Sequence, residues 1–155
     1  MEIAVVKTPG WPSPYGKNGS LVPLPDRMRF LHPEAFSSIE RLADEILVLP
    51  DVFRSPAASM QARATKTGVA KPGYSGHNFG FSVDVAISQT LKRNGWTKER
   101  LDQLMLDHGW RCYRKDHSTD KKENWHYNWR ASQYGQAGAE EVIQRFYSKC
   151  FAYDA

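Results

Sequence analysis

Cysteine is scarce in this chain. Only Cys112 and Cys150 occur among 155 residues, which excludes a disulfide framework, and they lack the spacing of a metal-binding pair. Both read as small buried hydrophobes. Long apolar runs are missing as well. None approaches the roughly 18 residues needed to cross a bilayer, so stable membrane insertion is not expected. The opening stretch MEIAVVKTPG has neither the charged n-region nor the long apolar h-region of a secretory signal, which predicts a protein made in the cytoplasm without a signal peptide. Internal repeats are absent. So is any clustering of basic charge: 21 Lys and Arg against 17 Asp and Glu leave a formal net charge of +4, but the cations are scattered. That balance favours acidic surfaces in general, and net charge is all the sequence offers a nucleic-acid reading, so no nucleic-acid partner is expected.

What is present reads as one globular domain over residues 1–155. Hydrophobic residues make up 41% and aromatic residues 12%, and the length can bury a sizeable core. A monomer is expected. Residues 1–32 are rich in proline and glycine and form an extended entry segment. Trp11, Tyr15, Leu21, Val22 and Leu24 would pack it on the domain. Pro33 and Glu34 open a helix over 33–48, with Phe36, Ile39, Ala43, Ile46 and Leu47 at helical spacing. Ser55-Pro56 opens a second helix ending near Gly68. Thr97 caps a third over 97–108, stopped by Gly109, and a closing helix spans 137–151 with Val142, Ile143, Phe146 and Phe151 as its apolar stripe. Strands are expected over 79–87, 110–113 and 123–129. The class is α+β: a small antiparallel sheet carrying the functional site, with helices packed around it.

The chemistry concentrates in two pieces. Residues 74–85 read YSGHNFGFSVDV and place His77 seven positions before Asp84, while Glu123-Asn124-Trp125-His126 lies about forty residues on. Alternation along 79–87 puts Phe81, Val83 and Val85 on one face and Gly80, Ser82, Asp84 and Ala86 on the other. A buried carboxylate in a strand is costly unless a cation compensates it. Two histidines and an aspartate are three protein ligands of the kind a catalytic zinc uses, with a fourth position left for water. Glu123 is a nearby carboxylate able to take a proton from that water. The other histidines have structural readings. His32 caps a helix or lies in a loop, His108 complements the last turn of a helix, and His117 lies in a charged loop.

The pattern S-x-H-x-x-G-x-S-x-D at Ser75, His77, Gly80, Ser82 and Asp84, followed by E-x-W-H at Glu123, Trp125 and His126, resembles the zinc D-Ala-D-Ala carboxypeptidases and related peptidoglycan endopeptidases. Their wider fold group includes lysostaphin-like enzymes and hedgehog domains. The resemblance covers about residues 40–130. It implies that His77, Asp84 and His126 bind zinc, that Glu123 is the catalytic base, and that Arg54, within Val52-Phe53-Arg54-Ser55, meets the scissile carbonyl. Ser75 is read as a cleft residue and Trp125 as the support of His126. The family usually has alanine where this chain has Ser82, tyrosine where it has Phe53, and glutamine where it has Ser59. The implied substrate is the peptide stem of peptidoglycan. A phage endolysin, made in the cytoplasm and acting at the cell wall or periplasm after release, fits this reading. Alternatives are a D-Ala-D-Ala carboxypeptidase of the wall, a delivered toxin, and a non-catalytic zinc-stabilised binding module.

Overall fold

The entry segment does more than lie along the surface: its first residues form a strand, β1 (Glu2–Lys7). The computed structural model describes residues 2–55, 64, 76–114, 116–120, 123–129 and 151–154. Strand β1 pairs antiparallel with β4 (Phe30–Leu31) and parallel with β8 (Phe151–Asp154). Between them, β2 (Pro12–Ser13) and β3 (Val22–Pro23) make a short antiparallel pair. Trp11 and Leu24 from this segment are fully buried in the main hydrophobic cluster.

Helix α1 (Pro33–Glu45) begins as its sequence dictates. Pro33 occupies the first turn, and the Glu34 N–H donates to His32 Nδ1 at 3.3 Å, so His32 is the cap. Its inner face buries Ala35, Ile39, Leu42 and Ala43. The helix stops before the expected residue 48, because Ile46 leaves the helical region. Leu47, Val48 and Leu49 instead continue as a buried segment. Their backbone is tied down by long-range bonds: Leu49 N–H to the Pro12 carbonyl, Ala86 N–H to the Val48 carbonyl, and Val48 N–H to Thr90 Oγ1 at 3.1 Å. This rail leads directly to Asp51 and Arg54.

The site-bearing sheet has the order β5–β7–β6 and is antiparallel throughout. Strand β5 (Ser82–Asp84) is shorter than expected: residues 76–79 form a 3-10 turn, and α2 (Ile87–Asn94) starts soon after Asp84. The expected alternation nevertheless holds, with Phe81, Val83 and Val85 buried. The sequence reading missed α2, although Gly95 at φ 68 and Lys92 and Arg93 in the last turn mark its end. Helix α3 (Lys98–Asp107) is capped by Thr97, whose Oγ1 accepts from the Arg100 N–H. Gly109 closes it at φ 87, and a Cβ there would come within 2.5 Å of the Trp129 ring. Strand β6 (Trp110–Cys112) follows. The last sheet strand, β7 (His126–Trp129), is shorter than the expected 123–129, because Glu123 sits at φ 59 and cannot continue an extended chain.

The architecture is therefore mixed α+β with small, mainly antiparallel sheets. Of the second expected helix, residues 56–63 and 65–68 lie outside the described residues, as do 137–150 of the closing helix. Phe151 opens β8 and is not helical. Cys112 is buried and free, as expected; Cys150 lies outside the described residues. Among the described residues no helix is long and apolar enough to cross a membrane.

Candidate metal centre

The two motif halves meet because β5 and β7 pair in one register, with Ser82 opposite Asn128, Val83 opposite Tyr127 and Asp84 opposite His126. Residues two apart share a face of a strand, so Ser82 and Asp84 lie beside Asn128 and His126. His77 reaches the same point from the 3-10 turn preceding β5. One donor atom from each of His77, Asp84 and His126 lies within 4.8 Å of the others. His77 Nε2 is 3.1 Å, and His126 Nδ1 is 2.9 Å, from Asp84 Oδ1. The imidazole rings meet edge to face with centroids 5.1 Å apart.

The outer nitrogens decide what the inner ones can do. His77 Nδ1 lies 2.7 Å from the Val52 carbonyl, an acceptor only, so it carries the hydrogen. His126 Nε2 lies 3.0 Å from Asn128 Oδ1 and donates to it. In the neutral tautomers both inward nitrogens then present lone pairs toward a carboxylate oxygen. Three acceptors facing one another need a cation among them, either a proton or a metal. The charge balance agrees. Burial alone would lower the His77 pKa, but the Asp84 and Asp51 carboxylates and the Val52 carbonyl outweigh it and raise it to about 9. Burial would raise the Asp84 carboxyl, yet the two histidines hold it well below the usual carboxylate range. Two imidazoles, their outer nitrogens already hydrogen-bonded, and one carboxylate fit a zinc ion.

Arg54 stands next to this cluster. Its N–H donates to the His77 carbonyl at 3.1 Å, and its guanidinium pairs with Asp51. Asp51 in turn accepts the Asp84 N–H at its carbonyl, 2.8 Å away, through an isolated bridge to β5. Arg54, His77 and Asp84 thus hang on the same short piece of backbone, residues 51–54. Glu123 is exposed and lies in a turn, its carbonyl accepting the His126 N–H at 3.3 Å. A non-glycine residue at positive φ is uncommon and recurs at functional sites.

The remaining expectations divide. Ser75 lies outside the described residues. Trp125 contributes through its backbone, its carbonyl accepting the Val85 N–H at 2.8 Å, whereas the hydrogen bonds on the His126 ring come from Asp84 and Asn128. His32 and His108 are helix-end residues, His108 Nδ1 donating to the Leu104 carbonyl at 2.9 Å. His117 is exposed and bonded to Asp102 at 2.8 Å. Among the described residues, the sequence reading missed Asn128, Asp51 and Tyr113 beside the site. Asn128 was detectable, since period two places it on the His126 face. Asp51 carried a weaker signal, three residues before Arg54. Tyr113 carried none; it is exposed, its ring centroid is 6.5 Å from that of His126, and its N–H donates to the His126 carbonyl. Tyr15 of the entry segment borders the same region, its hydroxyl donating to the Pro50 carbonyl next to Asp51.

No family model matches the chain, and no curated protein does. Solved structures do. The vancomycin-resistance D,D-pentapeptidase VanY, solved with Zn(II), aligns over 86% of this chain and 82% of its own, with a TM-score of 0.46 and 17% identity. The LdcB LD-carboxypeptidase, whose structure is described as revealing the basis of peptidoglycan recognition, aligns over 86% of this chain and 75% of its own, with a TM-score of 0.53 and 16% identity. At that identity, the similarity to LdcB is one of fold.

Proposed function

We propose that this chain is a zinc-dependent peptidase that hydrolyses an amide bond in the peptide stem of bacterial peptidoglycan. The observation that carries the reading is the convergence of three lone-pair donors, from His77, Asp84 and His126, beside an anchored guanidinium. A pure binding module needs the donors but has no use for the arginine. The fold shared with LdcB supports the choice of substrate.

His77, Asp84 and His126 would hold the zinc, which when bound would supply Lewis acidity toward a carbonyl and bring the pKa of water toward about 7. The chain's own groups do the rest. Glu123 takes a proton from the attacking water and later delivers it to the leaving amine. Arg54 donates to the carbonyl oxygen as it gains negative charge. Asp51 holds that guanidinium in place.

Mass spectrometry of muropeptides after digestion of purified peptidoglycan tests the activity and identifies the bond. Zinc-loaded protein is expected to cut the stem, and Glu123→Ala to keep its zinc while losing about 100-fold or more in rate. Intact muropeptides with the zinc-loaded wild type would overturn the proposal. Within this activity the endolysin role is the finer reading. Turbidity of permeabilised cells separates it: clearing supports lysis, whereas release of single terminal residues without clearing supports a carboxypeptidase.

A further inference from the structure

Ser82 is a fully buried hydroxyl at the position where the resembling family has alanine, and it is not idle. Its Oγ donates to Asn128 Oδ1 at 2.5 Å. The same oxygen accepts from His126 Nε2 at 3.0 Å. An amide oxygen has two lone pairs, so these two donors fill it. The pair is built into the sheet, since Ser82 and Asn128 are cross-strand partners one step along the face from Asp84 and His126. Room is made for it as well. A Cβ on Gly76 would fall 1.9 Å from Ser82 Oγ and 3.2 Å from Asn128 Oδ1.

We propose that Gly76, Ser82 and Asn128 form a positioning relay that presents His126 Nδ1 to the metal. The inference rests on the zinc reading above. Its logic is a sequence of constraints. The Ser82 hydroxyl orients the Asn128 amide with its oxygen toward His126. That oxygen accepts only, so it requires the hydrogen on Nε2. The lone pair is then left on Nδ1, the atom facing Asp84. A reversed amide would offer N–H to Nε2, place the hydrogen on Nδ1, and block the ligand atom. Gly76 acts by leaving space. None of the three residues is itself a proposed ligand.

The test compares Asn128→Leu, Asn128→Asp and Ser82→Ala with the wild type, using two readouts that do not depend on turnover. Zinc affinity is measured by competition with a chromophoric chelator. The His126 tautomer is read from imidazole 15N shifts of the metal-free protein at alkaline pH, with circular dichroism reporting the fold. Asn128→Leu, which keeps the bulk and loses the acceptor, is expected to weaken zinc binding about 10- to 100-fold and to populate the Nδ1–H tautomer. Asn128→Asp keeps the acceptor and is expected to retain both affinity and tautomer. Ser82→Ala should shift both in the direction of Asn128→Leu, by a smaller factor. If wild type and a folded Asn128→Leu bind zinc equally and share one tautomer, the relay is wrong while the metal site stands. If the wild type binds no zinc, the metal reading itself falls and the relay's role falls with it.

Discussion

Arg54 carries the sharpest prediction of the proposed mechanism. Its guanidinium is held by Asp51 and its backbone by the His77 carbonyl, so it is a fixed charge and not a flexible clamp. A fixed cation stabilises an oxyanion far more than a neutral carbonyl. Arg54→Ala is therefore expected to lower kcat and kcat/KM together, by about 100- to 1000-fold, with KM little changed. Steady-state kinetics on a defined stem peptide checks this; a rise in KM at constant kcat would make Arg54 a substrate-carboxylate grip instead. His77 predicts a pH dependence. In the metal-free protein its pKa rises from 6.5 to about 9. The protonated ring therefore stabilises the fold fully below pH 6.5, and that stabilisation is lost as pH rises through about 9. A zinc ion bound at His77, as proposed, would have to displace the same proton. The metal-free Tm should thus fall between pH 6.5 and 9, while zinc affinity rises across that window. A metal-free Tm that climbs over this range would contradict the assignment.

At the scale of elements, β7 is held from both faces. One face carries His126 and Asn128. On the other, the Tyr127 hydroxyl donates to Asp102 of α3; burial and that carboxylate push the phenol up, so it stays a donor. Asp102 also accepts from Lys98 Nζ at 2.7 and 2.8 Å and from His117 Nδ1 at 2.8 Å. Lys98 and Asp102 are 3% and 5% exposed, so neither can rely on water. Removing one partner strands the other's charge in the interior. Lys98→Met is expected to cost about 3–5 kcal/mol, measured by urea unfolding. A near-neutral result would mean that Tyr127 and His117 suffice for Asp102. Because the cluster ties α3 to the strand bearing His126, a folded Lys98→Met variant should also bind zinc less tightly.

At the scale of the molecule, the entry segment belongs to the core. Trp11 is 1% exposed and stacks on Phe36 of α1 with centroids 5.9 Å apart and planes 15° from parallel. Pro12 accepts from Leu49, and Tyr15 reaches Pro50, so the segment braces the rail that carries Asp51 and Arg54. Trp11→Ala should cost about 3–5 kcal/mol in guanidinium unfolding. A loss below about 1 kcal/mol would show a detachable arm instead.

The sequence by itself determined what depends on near neighbours in the chain. The caps at His32 and Thr97, the stop at Gly109 and the alternation that buries Phe81, Val83 and Val85 while turning Ser82 and Asp84 to the other face all follow from contacts within about four residues. The donor set was legible for the same reason, since its residue types and spacings are local facts. The structure decided what depends on chain closure. His126 meets Asp84 across 42 positions, Val48 meets Thr90 across 42, and Tyr127 meets Asp102 across 25. No periodicity specifies such pairings. They arise because a buried polar group needs a partner and the strand register selects one. The same rule explains the errors. Residues 46 to 48 left the expected helix for long-range bonds, and Glu123 took a left-handed turn so that the chain could enter β7 at His126. The partner of Ser82 likewise came from the register, which places it opposite Asn128.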